Sequence, residues 1–270
     1  MVRAQQIRNR RTSGGIGGWI NFVGDEWTER NQDLKLATAA KRGETSITLT
    51  DVGPLGAGDY IEVRAHPENG WKGMAANLVN PARNQYLRGT AVNGNTLQLD
   101  VPIRFDSAPI GITTIRRIHP IRNVGIRKIH FEQLQTPGSE WHWLSFVGTS
   151  SALIANALFT DITGENGGRD MLWLSNCKDV TISDSDLLWS AHPSTAGASG
   201  YFGYQNSFDS LIENVSVIGH RHGPNVQGGS EIVVRDVWTD GGDTQLHILY
   251  AYDLIWENAP LIQALFYEGF

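Results

Sequence analysis

A short motif recurs along the second half of the chain and constrains the fold more than any other feature. Each copy ends a stretch of alternating apolar residues, and the copies read Ile-Arg-Lys, Ile-Ala-Asn, Ile-Ser-Asp, Ile-Glu-Asn, Val-Arg-Asp and Trp-Glu-Asn. The third residues of the copies, here called the anchors, are Lys128, Asn156, Asp184, Asn214, Asp236 and Asn258. Successive anchors are 28, 28, 30, 22 and 22 residues apart. A period near 22 residues, with extra residues looped out of the earlier copies, predicts the coils of a solenoid.

The pattern within each period indicates which kind of solenoid this is. Two nearly apolar columns precede the last five anchors, and they are Phe146, Leu174, Tyr204, Val226 and Ile248 at ten residues and Leu144, Leu172, Phe202, Pro224 and Leu246 at twelve. The repeat has no fixed leucine frame and no 3.6-residue periodicity, which argues against leucine-rich and helical repeats. Alternation with a period of two predicts stacked parallel strands with both columns inside.

This arrangement resembles the right-handed parallel β-helix of the pectate-lyase-like superfamily, over residues 123–258. The resemblance implies an all-β solenoid and a role among the sugar lyases, hydrolases, epimerases and phage tailspikes of that superfamily. It also implies an extracellular or periplasmic location. The basic start, MVRAQQIRNRRTSGG, is not followed by an apolar region, so no secretory signal is visible in the sequence and the compartment stays open.

Residues 25–111 interrupt the period and predict a small inserted β-module. Strand-like runs lie at 41–49, 58–63 and 92–99. Within the last run, Asn93-Gly94 predicts a type I′ hairpin turn, in which both central residues have positive φ. We therefore expect a first coil at 1–24, the inserted module at 25–111 and the remaining coils at 112–270.

The outward face of the predicted coils is rich in polar and aromatic residues. Counting 15, 14, 11 and 9 residues back from the anchors places eleven candidates there, which are Trp141, Arg169, Arg221, Asp243, His142, Asp170, His222, Trp173, Asn225, His247 and Gln227. Five strands spaced about 4.8 Å apart make a strip of roughly 20 Å, long enough for several linked sugar units. The sequence therefore predicts a polysaccharide ligand.

Arg221 and His222 are the sharpest catalytic candidates, because they lie in the string Gly219-His220-Arg221-His222-Gly223. In β-elimination on a uronate, an arginine neutralises the sugar carboxylate or acts as the base, and a histidine transfers a proton near neutral pH. His142 and Asp170 are further candidates. A structural role at a coil corner stays open for Arg221 and His222, and it is the favoured interpretation for His220.

Hydrolysis is the second enzymatic interpretation, and it needs two carboxylates about 5 to 9.5 Å apart. Asp170 and Asp243 are three strands apart, or roughly 14 Å. Asp184 and Asp186 are closer in sequence, but Asp184 is an anchor, where Asp and Asn serve turn hydrogen bonding. Elimination is therefore favoured over hydrolysis. The alternative to an enzyme is a noncatalytic carbohydrate-binding module, or a tailspike or adhesin that binds a host glycan.

Composition argues against several other classes of protein. The net charge of -6 argues against nucleic-acid binding, and the apolar runs are too short to span a bilayer. The single cysteine, Cys177, excludes an internal disulfide, and we expect it to be buried. No cofactor or metal site is predicted; calcium, which pectate lyases bind, stays open, as does the oligomeric state.

Overall fold

The computed structural model describes residues 18–24, 34–65, 83–107, 113–132, 142–147, 149–160, 172–188, 202–220, 223–240, 246–259 and 264–267. All regular secondary structure in these residues is β-strand. The strands form a twelve-stranded parallel sheet and a six-stranded antiparallel sheet.

The parallel sheet contains the strands from both sides of the predicted insertion. They are β1 (Gly18–Val23), β8 (Ile121–Arg122), β9 (Gly125–Glu132), β10 (His142–Val147), β11 (Thr149–Thr160), β12 (Leu172–Ser175), β13 (Lys178–Leu188), β14 (Phe202–Ile218), β15 (Pro224–Asp240), β16 (Leu246–Tyr252), β17 (Ile255–Glu257) and β18 (Ala264–Tyr267). The antiparallel sheet contains β2 (Leu34–Lys35), β3 (Ser46–Thr48), β4 (Tyr60–Ala65), β5 (Arg83–Asn93), β6 (Thr96–Leu99) and β7 (Thr113–Ile118).

The predicted apolar columns are in register, as the sequence indicated. Phe146 pairs with Leu174, Leu174 with Tyr204, Tyr204 with Val226, and Val226 with Ile248. The side chains of Phe146, Leu174 and Val226 are completely buried. The second column is also in register from Leu144 to Pro224, which we confirm through the pairs Leu144–Leu172, Leu172–Phe202 and Phe202–Pro224.

The long strand β14 joins two ladders of parallel strands. Its first residues pair with β12, whereas its later residues pair with β13, which follows β12 directly in the chain. The later ladder holds the anchor motifs in register, with Ile154 beside Ile182 and Ile182 beside Ile212. The chain thus returns to the same two ladders repeatedly, which is a β-helix-like arrangement.

Most of the anchors are corner residues with left-handed backbone. Five of them have φ between 47° and 53°, and these are Lys128, Asp184, Asn214, Asp236 and Asn258. Asn and Asp tolerate this conformation better than most residues, because their short polar side chains bond locally to the backbone. This tolerance explains why the repeat is visible in the sequence as Asn and Asp.

A second corner column lies five residues before the anchors and was not predicted. Its members have φ between 49° and 56°, and they are Asn123, Ser151, Asp179, Asp209, Glu231 and Asp253. Ser and Glu adopt this conformation less readily than Asn or Asp, so their presence hides the column from a search for turn residues. Each coil therefore bends at two fixed points.

The antiparallel sheet forms a separate apolar core from residues such as Ile61, Leu87, Leu97 and Ile115, and we call it the antiparallel module. The order of its strands is β2-β7-β4-β5-β6-β3. Strand β1, which precedes it, pairs with β10 of the parallel sheet. The module extends to Ile118, whereas the predicted boundary is at 111; the division at 24/25 and 111/112 stays a prediction.

The hairpin between β5 and β6 differs in detail from its prediction. Asn93 pairs with Thr96, so the two loop residues are Gly94 and Asn95. Only Gly94 has positive φ, at 58°. This pattern fits a type II′ turn, in which glycine occupies the first central position, so the predicted type I′ turn at Asn93-Gly94 is wrong.

Arginines of the antiparallel module bind acidic residues of the second corner column. Arg104 Nη1 lies 3.2 Å from Glu231 Oε1, and Arg42 Nη2 lies 3.1 Å from Asp253 Oδ1. Between the two sheets the hydroxyl of Ser150 donates a hydrogen bond of 3.0 Å to Tyr60 Oη. A neutral Asn would adopt the left-handed corner conformation with less strain. The ion pairs to these arginines explain why acidic residues stand at the corners instead.

Candidate functional site

The candidate site is a column of residues that alternates with the buried columns of the parallel sheet. Ser145 pairs with Trp173, Trp173 with Gly203, Gly203 with Asn225, and Asn225 with His247. We call these five residues the outward column. The sequence predicted this register, eleven residues before each anchor, and the pairing confirms it.

Trp173 is the aromatic residue of the outward column. It is half-buried, while Leu172 and Leu174 on either side of it are completely buried. On the next strand its partner is Gly203, which carries no side chain. The next side chain of the column belongs to Asn225, whose strand is two strands away from Trp173, or roughly 10 Å.

A second column lies two residues further along each strand. It contains Val147, Ser175, Gln205, Gln227 and Leu249, and these residues are in register. Ser175 was expected to face outward, but its side chain is 3 % exposed. Ser175 is the last residue of β12, and its carbonyl accepts a hydrogen bond from the buried thiol of Cys177.

The strands place four other predicted site residues, of which only the backbone is described. His142 begins β10 opposite Gly18, and Asn225, Gln227 and His247 occupy the columns above. Six further residues lie outside the described part of the chain, and they are Trp141, Arg169, Asp170, Arg221, His222 and Asp243. Their roles stay predictions.

Two residues near the candidate site have structural roles. The side chain of His220 is 1 % exposed, and its Nε2 donates a hydrogen bond of 3.1 Å to the carbonyl of Leu187. At the corner, Asn214 Nδ2 donates a hydrogen bond of 2.7 Å to Asp184 Oδ1. Both observations agree with a structural role for His220 and Asp184. Because Asp184 accepts a hydrogen bond at the corner, it is less suited to act as a catalytic carboxylate in hydrolysis.

A buried charged cluster lies beyond β12 along the coil, and sequence reasoning missed it. Lys178 is 2 % exposed and forms a short ion pair with Asp209; its Nζ is also 3.6 Å from Asp100 and 3.9 Å from Asp179. Burial by itself lowers the pKa of Lys178, but Asp209, Asp179 and Asp100 together raise it above its ordinary value. Burial raises the pKa of Asp179, and Lys178 opposes that shift.

The same cluster joins the two sheets. Asp100 follows β6 of the antiparallel module, whereas Lys178, Asp179 and Asp209 belong to strands of the parallel sheet.

The described residues contain no group of three or more His, Cys, Asp or Glu side chains arranged to hold a metal ion. Within the same residues, no helix has the length and apolar character needed to cross a bilayer.

Comparison with solved structures identifies the fold class. Over 90 % of its length the chain resembles the tailspike protein gp49 of Pseudomonas phage LKA1, with a TM-score of 0.63 and 14 % identity. It resembles the tailspike gp61 of Pseudomonas phage phi297 over 78 % of its length, with a TM-score of 0.60 and 15 % identity. The fold is β-helix-like. The chain covers 40 % and 34 % of the lengths of these two tailspikes.

No protein-family model and no curated protein matches the chain. The structural likeness therefore defines the architecture, and the function has to be argued from the residues.

Proposed function

We propose that the chain binds a carbohydrate polymer along the outward column. The observation that carries this proposal is the register, which places Trp173, Asn225 and His247 in one column with Gly203 beside the indole. An indole packs well against the apolar face of a pyranose, and amide and imidazole groups bond to sugar hydroxyls. Five strands give the column a length of roughly 20 Å, which accommodates several linked sugar units.

The finer structural part of the proposal is a right-handed parallel β-helix of the pectate-lyase-like superfamily. The likeness to two phage tailspikes favours a tailspike-type role, in which the ligand is a host glycan. A fold is a weak guide to function, so this part needs a binding test. We expect the purified chain to bind acidic polysaccharides on a glycan array; absence of binding to acidic and neutral polysaccharides alike would contradict the proposal. A trimer in solution would support the tailspike role.

The proposed chemistry is β-elimination on a uronate polymer. Arg221, helped by Arg169, neutralises the sugar carboxylate, which stabilises the negative charge that develops when the neighbouring proton leaves. His222 removes the proton next to the carboxylate, the freed electron pair forms the double bond, and the glycosidic oxygen leaves the β-carbon and takes up a proton. His142 and Asp170 are the alternatives for the proton transfer. In the sequence, Gly223 alone separates Arg221 and His222 from β15, the strand that carries Asn225.

We expect Arg221→Ala and His222→Ala each to lower the rate of elimination about 100-fold or more, because each removes a group that acts on the transition state. The product of elimination is an unsaturated sugar, so the reaction is followed by near-ultraviolet absorbance. Arg235→Ala is the matched control, since Arg235 is exposed at an anchor corner, where it binds Glu213. Full activity in both site variants would exclude Arg221 and His222 from the chemistry.

The same assay distinguishes the alternatives. A hydrolase releases reducing ends without the unsaturated chromophore, and a binding module does neither. Repeating the assay with a chelator and then with added calcium tests whether calcium participates.

We expect Trp173→Ala to weaken binding of an acidic polysaccharide roughly threefold to tenfold, because stacking against an aromatic ring contributes about 0.5–1.5 kcal/mol beyond the area buried. Affinity electrophoresis measures this change, and Trp173→Phe is expected to keep most of the affinity. Equal mobility of Trp173→Ala and the unmodified chain in the polysaccharide gel would exclude stacking on Trp173.

A further inference from the structure

A second surface of the parallel sheet carries an exposed tryptophan. At the end of β15 the residues alternate, with Asp236, Trp238 and Asp240 exposed and Val237 and Thr239 buried. Trp238 is 54 % exposed. Among the aromatic side chains whose exposure the structure describes, no other is as exposed.

The neighbours of Trp238 on this surface are polar and acidic. Trp238 pairs with Ser216, and Ser216 pairs with Asp186, which is exposed. The strand spacing puts Asp186 roughly 10 Å from Trp238, and Asp236 and Asp240 are each roughly 7 Å from it along β15. We call Asp186, Ser216, Asp236, Trp238 and Asp240 the Trp238 patch.

The described cations form no ion pair with this patch, and Arg235 attracts Asp236 only as a secondary partner after Glu213. Among the described residues, neither Asp186 nor Asp240 forms an ion pair, and Arg235, next to Asp236, is bound by Glu213 at 2.6 Å. The equivalent positions on β9 are occupied by Lys128 and His130, roughly 20 Å away across the intervening strands.

We propose that the Trp238 patch binds an amino-sugar unit of a polysaccharide. The indole stacks against the apolar face of the pyranose and also attracts the ammonium group through its ring electrons. The carboxylates of Asp186, Asp236 and Asp240 complement the same positive charge and accept hydrogen bonds from hydroxyls. The charge preference is the reverse of that of the proposed uronate site, where Arg169, Arg221 and His222 suit a carboxylate. This inference rests on the proposed function in one respect, namely that the chain is a polysaccharide-binding protein.

Titration calorimetry with glucosamine oligomers, their N-acetylated counterparts and oligogalacturonate tests the inference on the full chain. We expect glucosamine oligomers to bind more tightly than the N-acetylated ones, which lack the charge. Trp238→Ala is expected to weaken glucosamine binding roughly tenfold, and Asp186→Asn with Asp240→Asn to remove the preference for the amine. Ile255→Ala, which also removes an exposed large apolar side chain, is the matched control and is expected to leave glucosamine binding unchanged.

Equal binding of the glucosamine oligomers and their N-acetylated counterparts would overturn the inference. An unchanged affinity of Trp238→Ala for glucosamine oligomers would also overturn it. A dimer of the unmodified chain that Trp238→Ala abolishes would also overturn it, because the patch would then be covered by a second copy. Failure of the proposed function has a different signature, since it appears as loss of oligogalacturonate binding with glucosamine binding intact.

Discussion

Replacing Lys178 with methionine is expected to lower the free energy of unfolding by about 3 kcal/mol, at the lower end of the range for breaking a buried ion pair. Methionine fills a similar volume, but the carboxylates of Asp209 and Asp100 lose their cation at sites that are 16 % and 18 % exposed. For a domain of this size, the loss corresponds to a fall in melting temperature of roughly 6 to 12 °C.

Two variants separate this electrostatic effect from a packing effect. Lys178→Met combined with Asp209→Asn is expected to recover part of the lost stability, because Asn tolerates the left-handed φ of 49° and carries no charge. Lys35→Met, at an exposed position, is expected to change stability by less than about 0.5 kcal/mol. If the double variant is no more stable than Lys178→Met, the cluster does not act through charge.

The raised pKa of Lys178 sets the pH range of this contribution. It is complete below the pKa of an unfolded lysine, about 10.4, and is lost as the pH rises through the higher value of the folded state. The difference in stability between the unmodified chain and Lys178→Met is therefore expected to shrink only at strongly alkaline pH.

Leu174→Asp is expected to destabilise the fold by at least about 4 kcal/mol. Leu174 is completely buried between Phe146 and Tyr204 in the apolar column, so the substitution removes packing and places an unpartnered carboxylate in the core. Chemical denaturation measures the change. Leu174→Met conserves volume and is expected to cost less than about 1.5 kcal/mol. An unchanged unfolding midpoint in Leu174→Asp would refute the stacked core.

The parallel sheet was predictable because its corners and its interior restrict residue type at a regular spacing. Asn and Asp at left-handed corners made the repeat visible in the sequence. Apolar residues at alternate positions, which are buried in the structure, made the register of Phe146, Leu174 and Val226 predictable. The hairpin was misassigned by one residue because Asn93 and Asn95 both flank Gly94, and sequence alone does not say which one enters the turn.

The charged cluster was not predictable because it depends on contacts between distant residues. Lys178 and Asp209 come from neighbouring coils, while Asp100 comes from the antiparallel module. The residues next to Lys178 in the sequence do not distinguish it from an exposed lysine. The second corner column was missed because Glu231 and Ser151 break its pattern of Asn and Asp. For the candidate site, the repeat predicted which backbone positions share a column, but the sequence does not specify the loops between coils.

A crystal structure of the chain with an oligogalacturonate is the most direct test of the central claim, which is that a polysaccharide lies along the outward column. We predict sugar density that crosses the strands, with one ring stacked on Trp173 beside Gly203 and the polymer continuing towards Asn225 and His247. An oligosaccharide bound elsewhere on the chain, with the outward column empty, would contradict the account.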